Sequence, residues 1–508
     1  MSPEGREQLP PRSAFPTKDF AMKPLALHED RYFDPAPAVR DKARALYERT
    51  KDLPLVCPHG HVPPRLLAED EAFPEPAALI LEPDHYIYRM LYSQGVSLEA
   101  LGIPPEGPEA DGIQVESNPR EAWQLFAEHY YLFRGTPTGA WLDYEFSEVL
   151  GVEEKLTGES AQRVYDQIQS KLDEPGFRPR ALFDRFGIDV LTTTDPASSA
   201  LEHHRQIRQS DWDGRVVPCF RPDAAFALAS AGWREEIRRL GQQTDREITS
   251  YDGFLQSLEE QRAFFKKMGA TSTDHAVVEP VTQRLSEQEA SALFDKALRG
   301  EAGEDDQRTF QAHMLLEMAR MSTEDGLVMQ IHPGALRDHN RAIYERFGPD
   351  SGADIPVPTE YTRNLRTLLN EYGAHPNFNL VVFTLDESSY ARELAPLAGH
   401  YPAMRLGPPW WFHDSIEGMR RYRRRTTETA GIYNTAGFND DTRAFLSIPA
   451  RHDLSRRVDA NYLAGLVARH QLSMDEAHEM ARALAVGLVR ETYRLDREAH
   501  APAGRTAE

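Results

Sequence analysis

The chain alternates between short apolar runs and longer stretches with helical spacing. Eight runs are short enough for buried strands, and each ends in polar or charged residues. They cover residues 53–61, 189–194, 215–220, 269–273, 326–331, 379–385, 402–406 and 431–438. Stretches of helical length lie between several of them, at 199–209, 251–267, 309–321, 361–372 and 416–429. About eight strand–helix units predict an α/β fold, a closed (β/α)8 TIM barrel.

The stretch between the first two runs is far longer than a barrel crossover needs. Two parts of it, residues 123–133 and 161–172, have helical apolar spacing. We therefore expect a mostly helical insertion that caps the barrel mouth. The predicted division is a disordered arm (1–25), an N-terminal segment with the first strand (26–81), the insertion (82–185), the rest of the barrel (186–497) and a frayed tail (498–508).

The polar residues at the run ends are rich in His, Asp, Arg and Trp. Active-site residues of (β/α)8 barrels lie at the C-terminal ends of the strands. Strands of any α/β protein end in polar loop residues, which accounts for the polarity. That alternative does not account for the repeated choice of metal-binding and ion-pairing side chains.

Composition limits the partners and the compartment. The formal net charge of -22 argues against nucleic acid or an anionic membrane as a partner. No apolar run reaches the roughly 18 residues of a membrane helix, and the N-terminus lacks a secretory apolar core. The 2 cysteines, Cys57 and Cys219, exclude a disulfide framework and are expected to fill the core. We predict a cytoplasmic enzyme, and a homo-oligomer stays open.

The first apolar run ends in two histidines separated by one residue, His59 and His61. Residues i and i+2 of a strand point to the same face, so both imidazoles would project side by side. Neutral imidazole nitrogens suit a divalent ion such as Zn, Mn or Co. The pair alone is a modest signal, because nearby histidines are common.

Three arginines, Arg221, Arg337 and Arg443, lie at predicted strand ends or just after them. An acidic chain that binds an anionic substrate must supply local positive charge against its own field. These arginines could supply it. The basic run at residues 419–425 lies in a helical stretch, where pairing with acidic neighbours is the simpler interpretation.

Several short motifs follow one another along the chain. They are His59-Gly-His61, Asp84-His85-Tyr86, Phe220-Arg221-Pro222-Asp223, Thr273-Asp274-His275, Gln330-Ile-His332 with Arg337, Trp410-Trp411-Phe412, Asp441-Thr-Arg443 and Arg451-His452. In this order, from about residue 26 to about 495, the sequence resembles the uronate isomerases, a branch of the amidohydrolase superfamily. The resemblance implies a distorted (β/α)8 barrel with a helical insertion after the first strand.

The resemblance also implies an activity. Uronate isomerases interconvert aldose and ketose acids, such as D-glucuronate with D-fructuronate or D-galacturonate with D-tagaturonate, by proton transfer between C2 and C1. It implies one divalent metal, with zinc first and manganese or cobalt as alternatives, bound by His59, His61 and Asp441. Asp441 is expected to carry a proton as well as bind the metal.

The remaining expected roles belong to side chains around the same pocket. Tyr86, with a pKa lowered near the metal and Arg443, is a second candidate for proton transfer. A planar guanidinium grips a carboxylate through two hydrogen bonds, so Arg221 is expected to bind the substrate carboxylate. Sugar hydroxyls are assigned to His85, His332 and Arg337, and a wall of the pocket to Trp410 or Trp411.

Two other functions stay open at this point. One is a mononuclear metal-dependent hydrolase of the same superfamily, acting on a lactone or amide. Binuclear members carry a lysine near the end of the fourth strand, whereas this chain has Thr273-Asp274-His275 there. The other is an inactive carbohydrate-binding relative. His332 could be a satisfied turn histidine, although its Gln-x-His context favours function. His275 could act through Asp274 or contact the substrate directly.

Overall fold

The computed structural model describes residues 24–81, 84–106 and 112–496. The predicted arm lies outside these residues except for its last two, and the predicted tail lies wholly outside them. Leu25 is buried, and its amide donates to the Glu153 carbonyl at 2.7 Å. The chain is therefore already packed against the insertion at this point.

Seven parallel strands form one curled sheet, and a separate antiparallel pair lies beside it. The strands are β1 Leu55–Cys57, β2 Ile188–Pro196, β3 Val216–Arg221, β4 Ser272–Val277, β5 Val328–Pro333, β6 Ala335–Leu336, β7 Ile355–Pro356, β8 Leu380–Val382 and β9 Met404–Leu406. The order in the sheet is β1-β2-β3-β4-β5-β8-β9, and β6 pairs with β7. Seven of the eight predicted runs thus contain a sheet strand, and the fold is a distorted (β/α)8 barrel.

The eighth predicted strand, residues 431–438, is wrong as a strand. Only one bridge forms, between Leu406 and Thr435, with hydrogen bonds from Leu406 N to Asn434 O and from Ala436 N to Leu406 O. A turn from Ile432 to Thr435 and the left-handed glycines around it, Gly431 (φ 68°) and Gly437 (φ 80°), prevent an extended run. The segment nevertheless fills the eighth position of the barrel.

Helices surround the sheet and fill the insertion. They are α1 Pro37–Glu48, α2 Pro64–Glu69, α3 Pro76–Ile80, α4 His85–Tyr92, α5 Pro119–His129, α6 Pro137–Tyr144, α7 Ala161–Leu172, α8 Pro179–Phe186, α9 Glu202–Gln209, α10 Asp223–Phe226, α11 Trp233–Gln243, α12 Tyr251–Lys267, α13 Glu287–Leu298, α14 Glu304–Asp325, α15 Arg341–Phe347, α16 Arg366–Tyr372, α17 Ala395–Ala398, α18 Ile416–Ala430, α19 Ile448–Ala468, α20 Met474–Arg482 and α21 Leu488–Thr492.

The predicted helical segments all contain helix. Residues 251–267 and 161–172 coincide with α12 and α7, whereas the stretch at 361–372 becomes helical only from Arg366. Helices α2–α8 follow β1 in the described residues and precede β2. Where the insertion begins and ends as a domain stays a prediction. No helix in the described part of the chain is long and apolar enough to cross a membrane.

Valines from most of the strands fill the barrel interior. Val56, Val190, Val217, Val328 and Val381 come from β1, β2, β3, β5 and β8, and all are buried in one cluster. Branched side chains of this kind form the packed layers of such barrels. The polar residues of the predicted site, such as His59, Arg221 and His332, follow these valines towards the C-terminal ends of the strands.

The C-terminal helix α21 is followed by Tyr493, which closes the apolar layer from one side. Tyr493 is buried, and its hydroxyl donates to Gln330 Oε1 on β5 at 2.9 Å. The thiols of Cys57 and Cys219 are free and buried, as expected.

We predict that Tyr493→Phe lowers the free energy of unfolding by about 1–3 kcal/mol, because Gln330 Oε1 loses its buried donor. The matched control is Tyr422→Phe, since the buried Tyr422 hydroxyl has no hydrogen-bond partner in the described residues. Urea unfolding followed by circular dichroism measures both variants. Equal losses in the two would contradict the assigned hydrogen bond.

Candidate active site

Polar side chains meet in a cavity of about 320 Å³ at the C-terminal ends of the strands. It is lined by strand-end residues, by α4 of the insertion, by the segment after β6 and by the loop after β9. The lining residues include His61, Asp84, His85, Tyr86, Arg221, Arg337, Asp338, Asp350, Trp410, Trp411, Asp414, Asp441, Arg443 and Arg451. Eight of the ten residues predicted for the site therefore line one cavity. The other two, His59 and His332, are buried beneath it.

His59, His61 and Asp441 form one cluster. Asp441 Oδ1 lies 3.2 Å from His61 Nε2 and 3.5 Å from His59 Nε2. Burial lowers the pKa of His59 to about 4, which leaves its imidazole neutral. Burial alone would raise the pKa of Asp441, but the two imidazoles outweigh it and hold that pKa well below its usual range. The cluster thus presents the neutral imidazole of His59, the ring of His61 and an ionised carboxylate.

Local backbone geometry presents Asp441 to the histidines. Its amide donates to Asn439 Oδ1 at 3.0 Å, and its φ is 35°, in the left-handed region that aspartate tolerates. The next residue, Thr442, accepts a backbone hydrogen bond from His61 N at 2.9 Å. The chain therefore holds the carboxylate against the end of β1 on both sides.

His332 lies under the cavity and next to His59. Their ring centroids are 4.8 Å apart, and His332 Nδ1 is 2.6 Å from Asp274 Oδ1. Its Nε2 is buried with no hydrogen-bond partner among the described residues. A metal-binding histidine characteristically donates its other ring nitrogen to a carboxylate. The location of His332 fits a metal ligand better than contact with sugar hydroxyls.

These residues fit a divalent metal. The ligand atoms of His59, His61 and Asp441 lie within 4.8 Å of one another, and so do those of His59, Asp274 and His332. Two imidazoles and a carboxylate are a donor set that Zn, Mn and Co accept. The unpartnered Nε2 of His332 points to the same conclusion, since buried polar atoms are rarely left without a partner.

Four arginines line the cavity, and carboxylates hold each of those predicted from sequence. Arg221 Nε donates to Asp223 Oδ2 at 2.7 Å and lies 3.6 Å from Asp274. Its two terminal NH2 groups make no hydrogen bond to any described residue. Arg337 and Arg443 share Asp350, at 3.4 and 3.1 Å. Arg221 is therefore the arginine best able to receive a further carboxylate.

Tyr86 and His85 begin α4 and face the cavity. The Tyr86 hydroxyl donates to Asp414 Oδ1 at 3.1 Å and accepts from Phe412 N at 3.1 Å. Burial and the negative charge of Asp414 raise the pKa of Tyr86 well above 10. The predicted lowering of that pKa is therefore wrong. His85 is kept neutral by burial, with a pKa of about 3, and both ring nitrogens lack partners in the described residues.

The two tryptophans have different surroundings. Trp410 is partly exposed and meets the His332 ring edge-on at 4.8 Å between centroids. Trp411 is buried, lies edge-on to His85 at 5.1 Å and supports the Arg337 guanidinium at 5.6 Å. Both line the cavity.

Two further sequence expectations are settled outside the cavity. His275 is buried, does not line the cavity, and its Nε2 is 3.0 Å from Thr273 Oγ1. The basic run on α18 pairs with acids as predicted: Arg421 contacts Glu387, and Arg423 contacts Asp459, each at 2.6 Å.

Sequence reasoning missed Asp350 and Asp414. Asp350 follows α15 on the segment between β6 and β7, and Asp414 lies three residues after Trp411. Neither occupies a strand end, so the barrel pattern gave no reason to select them. For Asp414 the adjoining Trp410-Trp411-Phe412 motif was the available signal.

Comparison with known proteins agrees along nearly the whole chain. A family model described as glucuronate isomerase matches residues 36–488. The uronate isomerase of Phenylobacterium zucineum is 53% identical over 482 residues, covering 95% of this chain and 99% of that protein. The uronate isomerase of Nostoc punctiforme is 54% identical over 475 residues, covering 93% and 99%. The crystal structure of glucuronate isomerase from Caulobacter crescentus has a TM-score of 0.91 and 47% identity, covering 95% and 100%. The chain belongs to the glucuronate isomerase family.

Proposed function

We propose that this protein is an aldose–ketose isomerase that interconverts hexuronates in sugar-acid catabolism. The observation that carries the proposal is the ionised Asp441 between two histidines at a cavity lined by four arginines. The cavity thus contains a carboxylate that can exchange protons, Asp441, and four guanidinium groups that attract a substrate carboxylate. The hydrolase alternative is disfavoured, because the family model and the relatives that match nearly the whole chain are described as isomerases. A hydrolase with two bridged metals is disfavoured as well, because β4 contains no lysine.

The isomerisation moves one hydrogen from C2 to C1 and another from O2 to O1. A base must take the weakly acidic C2 proton, and charge on the substrate oxygens must be stabilised meanwhile. Asp441 is our candidate to take the C2 proton and return it to C1. Tyr86, whose hydroxyl stays protonated, is the candidate for exchange at the oxygens, with Arg443 in the same cavity as a fixed positive charge.

We propose one divalent metal, zinc first, held by His59, His61 and Asp441, with the His332 ring 4.8 Å from that of His59. When bound, such an ion supplies positive charge that polarises substrate oxygens. Manganese and cobalt accept the same ligands.

Arg221 is our candidate for the substrate carboxylate, because its terminal NH2 groups make no hydrogen bond to a described residue. His85 and Arg337 are assigned to sugar hydroxyls, and Trp410 to the wall of the pocket. Cytoplasmic location and the absence of nucleic-acid or membrane partners stay predictions from composition, and a homo-oligomer stays open.

The function is tested with the purified protein and a panel of hexuronates, assayed for ketose formation with and without a chelator. We expect activity on at least one aldohexuronate.

Asp441→Asn should lower kcat by orders of magnitude, because an amide cannot exchange the proton. Its effect on substrate binding should be smaller. In deuterium oxide some solvent deuterium should enter the product. No exchange together with an active Asp441→Asn enzyme would instead favour a hydride shift, and hydrolysis of a lactone or amide without isomerisation would favour the alternative.

Arg221→Met should raise KM for the uronate about a hundredfold, since losing a charge-assisted contact in a desolvated pocket costs about 3 kcal/mol. Arg221→Lys keeps the charge without the planar guanidinium, so its KM should lie between those of the wild type and Arg221→Met. Steady-state kinetics measures all three proteins. An unchanged KM in Arg221→Met would move the carboxylate contact to Arg337 or Arg443.

His59→Asn and His61→Asn should each reduce bound metal while the far-ultraviolet circular dichroism stays unchanged, because both side chains lie at the strand end and outside the valine layer. The control is His313→Asn on α14, whose histidine bonds the Tyr251 hydroxyl and belongs to no candidate metal cluster. Metal analysis by mass spectrometry measures all three. Unchanged metal in both strand-end variants would place the ion elsewhere.

A further inference from the structure

A chain of hydrogen bonds links Tyr86, Asp414 and Arg451 along the cavity wall, and Arg451 Nη1 also donates to the carbonyl of Asp440 at 3.3 Å. The Tyr86 hydroxyl donates to Asp414, at 3.1 and 3.2 Å from its two oxygens. Asp414 Oδ2 in turn accepts from Arg451 Nη1 at 2.9 Å. All three residues line the cavity, and none of them is a candidate metal ligand.

Arg451 is held firmly where it meets Asp414. It is buried near the beginning of α19, and its Nε donates to Ser447 Oγ at 3.1 Å. Its guanidinium lies 3.7 Å from the centre of the Trp141 ring, which also packs edge-on against Tyr86 at 5.7 Å. Trp141 thus covers the chain from the side of the insertion, and Asp414 keeps one fixed cation.

The position of Tyr86 raises a chemical problem. A hydroxyl that exchanges protons with substrate oxygens must either become a phenolate or pass its own proton on. Burial and the carboxylate beside it make the phenolate costly, which is the physical meaning of its raised pKa. The charged and titratable groups around it include Asp84 just before α4, His85 and Arg89 on α4, Asp414 after β9 and Arg451 on α19. Among them only Asp414 accepts a hydrogen bond from the Tyr86 hydroxyl.

We propose that Asp414 is the proton partner of Tyr86, so that the hydroxyl hands its proton to Asp414 as it accepts one from the substrate. This rests on the proposed isomerase function. The substrate O2–H proton passes to the Tyr86 oxygen while the Tyr86 proton passes to Asp414. The reverse movement delivers a proton to O1. Over one turnover Asp441 moves the carbon-bound hydrogen from C2 to C1, both carboxylates end ionised, and Tyr86 ends neutral.

Arg451 and burial have opposite effects on this partner. Burial raises the pKa of Asp414, whereas the Arg451 charge lowers it. The net result is a raised pKa, so the buried carboxylate can hold a proton briefly. Asp414 acts through Tyr86, so it is a positioning and proton-holding residue and does not touch the substrate itself.

The test is a double-mutant cycle between Asp414 and Tyr86. Asp414→Asn keeps an acceptor oxygen for the hydroxyl but cannot take a proton. We expect kcat to fall about a hundredfold or more in Asp414→Asn and in Tyr86→Phe, with KM changed little. The double variant should be no slower than the slower single one, because both remove the same transfer. Asp414→Glu, which restores the carboxylate, should recover part of the loss.

The matched control is Asp459→Asn. Asp459 is also a buried aspartate paired with an arginine, Arg423, but it does not line the cavity. Its effect should multiply with that of Tyr86→Phe. Multiplying effects in the Asp414 cycle, or an Asp414→Asn enzyme with unchanged kcat, would overturn the relay.

A separate measurement uses the wild-type protein, so it does not depend on folding of the Asn variant. The C2-deuterated substrate is used so that isomerisation limits the rate. If two protons move together, the plot of kcat against the fraction of deuterium oxide should bow below a straight line. A straight line would overturn the relay. Failure of the proposed function looks different, because the wild-type protein would then form no ketose. A fully active Tyr86→Phe enzyme would overturn the relay but leave the isomerase function standing.

Discussion

The site depends on the closure of the barrel between its first strand and its last segment. The amide of His61 donates to the Thr442 carbonyl at 2.9 Å, and this bond joins the end of β1 to the residue after Asp441. This bond holds the Asp441 carboxylate close to both His59 and His61. Because the eighth position is a turn and not a strand, the closing hydrogen bonds are few, and each has a large effect on the site.

Electrostatics decides how an acidic chain can attract an anion. Arg221, Arg337, Arg443 and Arg451 all reach one cavity, although the chain carries a net charge of -22. Aspartates hold each guanidinium in place, which fixes its direction and limits the cost of bringing four like charges together. The arrangement gives a set of guanidinium groups whose positions are fixed before any ligand arrives.

The insertion and the barrel contribute different parts of the same chemistry. Strand ends supply His59, His61, Arg221 and the cluster around Asp441, on the stiff layer of valines below. The insertion supplies His85 and Tyr86 at the beginning of α4. There Asp84 Oδ1 accepts a hydrogen bond from the Tyr86 amide at 2.8 Å. The loop after β9 then meets α4 through Asp414. Three separate parts of the chain must therefore pack together before Tyr86 has its partner.

The sequence by itself determined the local features. Alternating apolar runs and helical stretches predict the barrel, the His59–His61 pair predicts a metal cluster, and strand ends predict Arg221 and Arg443 in one cavity. These depend on periodicity and strand direction, which a linear pattern encodes. The tertiary structure alone decided the rest. Asp350 and Asp414 come from irregular segments, and the run at 431–438 is a turn because Gly431 and Gly437 adopt left-handed backbone. The pKa of Tyr86 rises because its hydroxyl is buried and lies beside the carboxylate of Asp414, 328 positions away. Burial and contacts between distant residues set these properties, and no local pattern records them.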